Sequence, residues 1–391
     1  MSSNQHIRHF TAIALGMIAT SGLWEGAKGL SLPHFLTDLA LQPALGGAIF
    51  AAGALGFTLT ALTFGTLSHR LGLKRLVLTG CLLGLAALAA FLTGRHPVVL
   101  YGASMFLGTG ISLVEMSTSL PISLLYGDRQ GGMLNLLHGL FGVGTLVGAL
   151  WGGLWFRAGA PWQVAMGLIG LPVAVWTVWF TALPALPLPR STGREGGYGP
   201  LLRDPLVWIA ALALAAAVVA ESGMGLWLPS YLQRSKGLSE GASAFYTTAF
   251  FIGFTACRLA GGWLIDRVGP VRSVVLLGLI GGAGLMALIL LPGPWAWLSA
   301  LAGAGVAMGF ATAVALVAAR YPDRMGRVYS LMYSSGGVSA ILAGPAMGWI
   351  GQRVSLSAVM GVPLGAYAAL VGLMLLYGWG SRTWGGSAAA G

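Results

Sequence analysis

The sequence predicts an all-α membrane protein of twelve transmembrane helices, arranged as two pseudo-symmetric six-helix bundles. Three observations carry this. The 391 residues are 56% hydrophobic and only 8% charged, with a mean hydropathy of +0.81. A soluble domain carries about 25% charged residues, so most of this chain cannot face water. The apolar residues fall into runs of about 20, the length that crosses a bilayer core. Finally, a segment of the first half returns in the second: EGAKGLSLPHFL from Glu25 to Leu36, and ESGMGLWLPSYL from Glu221 to Leu232. Glu25/Glu221, Gly29/Gly225, Leu30/Leu226, Leu32/Leu228, Pro33/Pro229, Phe35/Tyr231 and Leu36/Leu232 keep register at an offset of 196. A repeat spaced by half the chain means two homologous halves.

The first half carries apolar runs at 10–32, 43–67, 75–94, 98–125, 133–156 and 162–184. The second carries them at 205–232, 241–265, 272–292, 295–319, 327–350 and 355–379. The first run is long enough to span, so it reads as a membrane helix rather than a cleavable signal. The one longer connector, Pro184 to Pro205, is rich in Pro, Gly and charge. It reads as a solvated linker with room for a short surface helix. The expected organisation is therefore a bundle over 1–184, a cytoplasmic linker over 185–204 and a second bundle over 205–391. The 62 glycines and 18 prolines suit close helix packing and tolerated kinks in lipid. Cys81 and Cys257 fall inside apolar runs and read as small core residues.

Orientation follows from Lys and Arg. An even number of spans puts both termini on one side, and most of the 21 basic residues collect there. Arg95, Arg157, Arg234, Lys236 and Arg353 lie on the other side, and Lys28 and Arg258 lie inside spans. The positive-inside bias places both termini in the cytoplasm of a cell inner (plasma) membrane. The formal net charge of +11 then reads as cationic loops facing anionic lipid, with no nucleic-acid partner.

The repeat continues in the loops. GTLSHRLGLKR, Gly65 to Arg75, follows span 2, and GWLIDRVGPVR, Gly262 to Arg272, follows span 8. Asp128-Arg129 matches Asp323-Arg324, and Gly142-Val143 matches Gly337-Val338. At these residues the chain resembles the major facilitator superfamily, whose signature after helix 2 is G-x-L-x-D-R-x-G-x-x-R/K. The second copy fits at Gly262, Leu264, Asp266, Arg267, Gly269 and Arg272. The first keeps Gly65, Leu67, Arg70, Gly72 and Arg75 but has His69 in place of the aspartate. The resemblance implies a central cavity, alternating access, and a cytoplasmic gate latched by these motifs when the protein opens outward. A carboxylate can pair with Arg or with a helix N-terminus. His69 does so less well, so the first latch is expected to be the weaker. Gly336, Gly344, Pro345 and Gly348 resemble the family's glycine–proline hinge, with Gly344 and Pro345 at its centre. Span 5, where efflux antiporters of the family carry that motif, has no proline.

An ionisable group in mid-membrane costs about 2.5–3.5 kcal/mol on insertion scales and stays only if paired or functional. Here they are Glu25 and Lys28 in span 1, Glu115 in span 4, His138 in span 5, Glu221 in span 7 and Arg258 in span 8. Glu25 and Lys28 share a helix face and can pair. Each repeated Glu lies eight residues before its proline, or about 12 Å of helix, near the midplane. The resemblance implies that spans 1, 4, 7 and 10 line the cavity, which puts all three glutamates there. They can couple protons, hydrogen-bond a substrate, or form structural pairs such as Glu25–Lys28 and Glu221–Arg258. Arg258 can bind an anion or neutralise a carboxylate. His138 can relay a proton, contact substrate or be a satisfied structural histidine.

Glu115 and Pro121, then Leu134-Asn135, then Gly142 and Gly144, are similar to the fucose–proton symporter group of sugar facilitators. That resemblance implies proton and sugar contacts at Glu25 and Glu115. It departs from the group's pattern at Leu120, His138 and Lys28. Trp24 and Trp227 can stack on an apolar solute face, whereas Trp295, Trp297, Trp379 and Trp384 read as an interfacial belt. There is no nucleotide-binding loop and no metal-ligand spacing, so an enzyme is not expected, and neither a cofactor nor a metal is. The expectation is a monomeric secondary transporter of a small organic solute, driven by no nucleotide hydrolysis of its own and coupled to protons with sodium left open. Sugar leads, with drug or lipophilic-cation efflux and an organic-anion or amphiphile carrier as alternatives.

Overall fold

The computed structural model describes residues 3–126, 130–183 and 197–383. Asp128-Arg129, residues 185–196 of the linker and Trp384 lie outside the described residues. Gly65, His69, Leu134 and Asn135 fall within helices, but their side chains also lie outside the description. The expectation of a weaker latch at His69 therefore has no structural counterpart here.

Every described regular element is helical. The first half comprises α1 (Ser3–Asp38), α2 (Pro43–Leu71), α3 (Leu73–Thr93), α4 (Pro97–Tyr126), α5 (Gln130–Arg157), α6 (Trp162–Gly167) and α7 (Gly170–Thr181). A short helix, α8 (Gly199–Arg203), ends the linker. The second half comprises α9 (Pro205–Arg234), α10 (Glu240–Val268), α11 (Pro270–Leu290), α12 (Ser299–Val306), α13 (Gly309–Arg320), α14 (Met325–Arg353), α15 (Leu356–Val359) and α16 (Gly361–Thr383). Spans 6, 10 and 12 are each interrupted, as α6–α7, α12–α13 and α15–α16.

Ten stretches among the described residues are long and apolar enough to cross a membrane. Helices α1 and α14 complete the twelve. They are less apolar because α1 carries Ser21, Glu25, Lys28 and Ser31, and α14 carries Ser330, Ser334, Ser335 and Ser339. Polar residues at membrane depth belong where they meet protein or a cavity rather than lipid.

The packing shows the pseudo-twofold. In the first half α1 packs on α5, and α3 on α4 and α7. In the second, α9 packs on α14, and α11 on α12 and α16. Between the halves α2 packs on α14 and α10 on α5, two contacts that the repeat interconverts, while α1 meets its own counterpart α9. Glycines permit the closeness. A Cβ at Gly22 or Gly26 of α1 would overlap the α5 backbone at Phe141–Thr145, and one at Gly144 would overlap Ala19.

The gate-motif loops are single-residue turns. Gly72 sits at φ 77°, ψ 150° between α2 and α3, and Gly269 at φ 89°, ψ 155° between α10 and α11. That region is open essentially to glycine alone, which accounts for both motif glycines. Arg70 lies in the last turn of α2, Asp266 and Arg267 in the last turn of α10, and Arg75 and Arg272 in the first turns of α3 and α11. The Arg267 guanidinium lies over the Trp263 ring at 4.2 Å. Asp204 caps α9 by accepting from the Leu206 amide at 2.9 Å. It also accepts from Arg320 Nε at 2.5 Å and from the Tyr321 hydroxyl at 2.9 Å, pinning the start of the second bundle. Cys81 is buried, Cys257 half-buried, and both are free thiols. Trp295, Trp297 and Trp379 are exposed.

Candidate functional site: a charged cavity between the bundles

A cavity of about 240 Å³ lies between the two bundles, and Glu25, Lys28, Glu115, His138, Glu221 and Arg258 all line it. Six ionisable side chains scattered over five helices of the sequence thus converge on one space. Trp24 lines it too, packed 4.8 Å from Phe91 and 6.2 Å from Phe50. Trp227 does not: it is fully buried, and its indole N–H finds no partner among the described residues. The repeated motif sets Trp227 behind the helix face that carries Glu221.

The charges divide unequally. Lys28 Nζ lies 2.5 Å from Glu25 Oε1, one turn apart on α1. Arg258 of α10 faces Glu221 of α9 more loosely, at 3.9 Å. Its position comes from elsewhere. Arg258 Nε donates to the Ala307 carbonyl at 3.1 Å, and the guanidinium lies 4.4 Å over the Phe254 ring. Ala307 stands at the break between α12 and α13, where a carbonyl freed from the helix ladder needs a donor inside the membrane. Both structural pairs anticipated from the sequence are therefore present, and Arg258 also caps an interrupted helix.

Among the described residues, Glu115 on α4 has no cation within ion-pair distance. Tyr333 of α14 lines the same cavity and places its hydroxyl 3.4 Å from His138 Nε2. The Arg258 charge is near enough to act on Glu115, Glu221 and His138. Around them stand aromatic rings. Phe57 stacks on Tyr333 at 6.3 Å and 10°, and Phe310 meets Tyr333 edge-on at 5.0 Å and 85°.

On the side opposite the termini the bundles touch backbone to backbone. A Cβ at Gly29 of α1 would overlap Gly225 of α9, one at Gly47 of α2 would lie 2.5 Å from the Gly344 carbonyl of α14, and one at Gly348 would lie 2.5 Å from the Pro43 carbonyl. Gln352 Nε2 donates to Gln42 Oε1 at 2.9 Å, and His34 Nε2 meets Glu240 Oε1 at 3.0 Å. Pro345 lies within a continuous α14, and its neighbour Gly344 both lines the cavity and forms the α2 crossing.

Residues 13–247 and 237–389 match the Major Facilitator Superfamily. The chain belongs to that superfamily. It is a multi-pass membrane transporter of a small solute, not an enzyme. The gentisate transporter of Corynebacterium glutamicum is 26% identical over 324 residues, covering 78% of this chain and 72% of that protein. The gallate transporter of Pseudomonas putida is 26% identical over 316 residues, covering 70% and 68%. The fucose–proton symporter of E. coli superposes with a TM-score of 0.69 at 18% identity, over 94% of this chain and 98% of that one. At that identity the likeness shows a shared fold.

In this facilitator, sequence reasoning found the charged residues and Trp24 and missed the other neutral side chains. Tyr333, Phe57, Phe310, Ser21 and Ser104 line the cavity but lie in apolar runs where an aromatic or serine reads as packing. One signal was available for Tyr333: it sits in the Ser-rich stretch of α14 that lowers that helix's hydropathy.

Proposed function

We propose that this facilitator carries a small organic anion of the aromatic monocarboxylate class together with protons. The observation that carries the reading is Arg258: a guanidinium facing a midplane cavity, held by a carbonyl and a ring, and only loosely engaged by Glu221. A planar fork of donors matches a carboxylate, and the Trp24, Phe57 and Phe310 rings offer an apolar wall for the rest of the solute. Two relatives bear the names of ring-bearing carboxylates, gentisate and gallate, which supports the same class. Among the described residues the cavity lining includes no Asn or Gln, the neutral amides that would favour a sugar over an anion.

The charges supply the reason for coupling. With all three glutamates ionised and His138 neutral, the lining side chains sum to one negative charge, and a monoanion would raise that to two. Protons on the carboxylates relieve the repulsion. The solute carboxylate takes the guanidinium from Glu221 as Glu221 takes up a proton, and a second proton on Glu115 leaves the loaded cavity neutral. Glu25 and Lys28 stay paired. The Lys and Arg distribution supports an inner (plasma) membrane protein with both termini cytoplasmic, the half-chain repeat supports bundles at 1–184 and 205–391 joined by the linker 185–204, and the monomer is the superfamily's default.

The test is uptake of radiolabelled gentisate and gallate into proteoliposomes, beside L-fucose and tetraphenylphosphonium. The expected result is accumulation of an aromatic acid under an inward proton gradient, faster with the interior negative, abolished by a protonophore and lost in Arg258→Gln. Uptake of fucose alone, or movement of tetraphenylphosphonium alone with Glu115 as its counter-charge, would overturn the reading.

A further inference from the structure

A second cavity, of about 40 Å³, lies inside the first bundle among α1, α3, α4 and α7. Its wall is hydrocarbon, sulfur and ring: Leu88, Leu107, Val114 and Cys81 line it and are buried. The two hydroxyls in the lining are already engaged. Thr20 Oγ1 donates to the Gly16 carbonyl at 2.9 Å, and Ser21 Oγ to the Met17 carbonyl at 3.2 Å. A buried water needs roughly two to four polar partners, so this lining suits an apolar guest. Gly84 of α3 leaves the space open: a Cβ built there would meet only Leu107 Cδ1, at 3.9 Å.

Two tryptophans close the cavity, and they are held differently. Trp176 of α7 stacks on the exposed Trp179 at 5.8 Å and 8°. Its indole N–H donates to Thr20 Oγ1 at 3.0 Å, and a Cβ at Gly16 of α1 would lie 2.3 Å from its ring. Trp176 is thus wedged and tied shut on the outer side of the bundle. Trp24 of α1 stands on the inner side. Trp24, Ser21 and Ile111 line both this cavity and the charged one between the bundles. Trp24 is held by its ring contacts with Phe91 and Phe50, which slide without breaking a directional bond. The way in is therefore from the solute site.

We propose that this side cavity is a subsite for an apolar substituent of the transported solute, with Trp24 as the movable partition that sets which solutes reach it. The inference deepens the aromatic-monocarboxylate reading and rests on it. With the carboxylate on Arg258 of the second bundle and the ring against Trp24 of the first, the para position points away from α10 toward α1 and α4. A turn of the Trp24 ring joins the two spaces. The side cavity holds about three methyl-sized groups, and burying each contributes about fourfold in affinity. A charged group finds no partner there. The site thus selects alkyl-substituted aromatic acids by chain length.

The experiment is calorimetric titration of the full chain in lipid nanodiscs with benzoate and its 4-methyl, 4-ethyl, 4-propyl and 4-pentyl derivatives. Affinity should rise about fourfold per carbon, roughly sixtyfold from benzoate to 4-propylbenzoate, and fall again at 4-pentyl. Gly84→Ala fills one carbon's worth of the cavity and should lower the propyl-to-benzoate ratio about fourfold. Gly84→Val fills about three and should bring that ratio to about one. Cys81 reports the place. In a Cys257→Ala background, saturating 4-propylbenzoate should slow its reaction with ethylmercury, and saturating benzoate should not. A parent ratio near one would leave the cavity a packing void and overturn the proposal. So would a high ratio that survives Gly84→Val, or equal protection of Cys81 by both acids. Benzoate bound without a chain-length gain sinks this inference alone, whereas failure of every benzoate to bind sinks the aromatic-acid reading and this one with it.

Discussion

At the scale of single residues, the membrane is the reason why so much of the site could be read in advance. A charge at membrane depth is expensive, so a helix that retains Glu115 or Arg258 advertises a site before any fold is known. The price of that signal is blindness to neutral residues: Tyr333 and Phe57 carry no such penalty and look like core until the bundles are assembled. Arg258 allows a sharp prediction. Removing one partner of a buried pair leaves an uncompensated charge and costs about 3–5 kcal/mol, whereas removing both restores neutrality. Arg258→Gln is expected to lower the melting temperature of the purified protein markedly. The double variant Arg258→Gln/Glu221→Gln should recover most of that loss without recovering anion uptake. If the double variant melts no higher than the single, then the Ala307 carbonyl, and not Glu221, is what Arg258 stabilises.

At the scale of helices, the sequence shows which residues repeat but not which repeats touch. The seven-position match names Gly29 and Gly225 as equivalents, and only the structure shows the two glycines pressed together across the α1–α9 crossing. The twelve spans were legible because apolar length is a local property. The interruptions at α6–α7 and α12–α13 were not, because a broken helix in the membrane depends on a distant donor, here Arg258 for Ala307. The glycines at these crossings are of two kinds. Gly22 packs α1 on α5 inside one bundle, a contact that survives any rocking of the bundles. Gly29 packs α1 on α9 between bundles, a contact made only when the side opposite the termini is closed. Gly22→Ala is therefore expected to lower thermal stability, with the access equilibrium unchanged. Gly29→Ala should instead favour opening on that side. A Ser222→Cys reporter, whose parent residue lines the cavity, would be labelled more than about tenfold faster by an impermeant maleimide from that side, which is about 1.4 kcal/mol of shift. Equal labelling in both variants would mean that the α1–α9 contact does not move.

At the scale of the molecule, two devices close the same side and differ in kind. The glycine crossings are steric and fall off within tenths of an ångström. The His34–Glu240 pair joins α1 to α10 across the halves, with side chains 30% and 43% exposed, and lies in reach of solvent and salt. An exposed ion pair contributes roughly 0.2–1 kcal/mol, and this one is charged only while the imidazole carries a proton. The pair therefore trims an equilibrium that backbone packing sets. His34→Ala is expected to raise labelling of the same Ser222→Cys reporter by less than about fivefold, the upper end of that range. The increase should shrink at high salt, where the parent pair is itself screened. Labelling as fast as in Gly29→Ala would reverse the ranking and make the ion pair the principal closing device of the transporter.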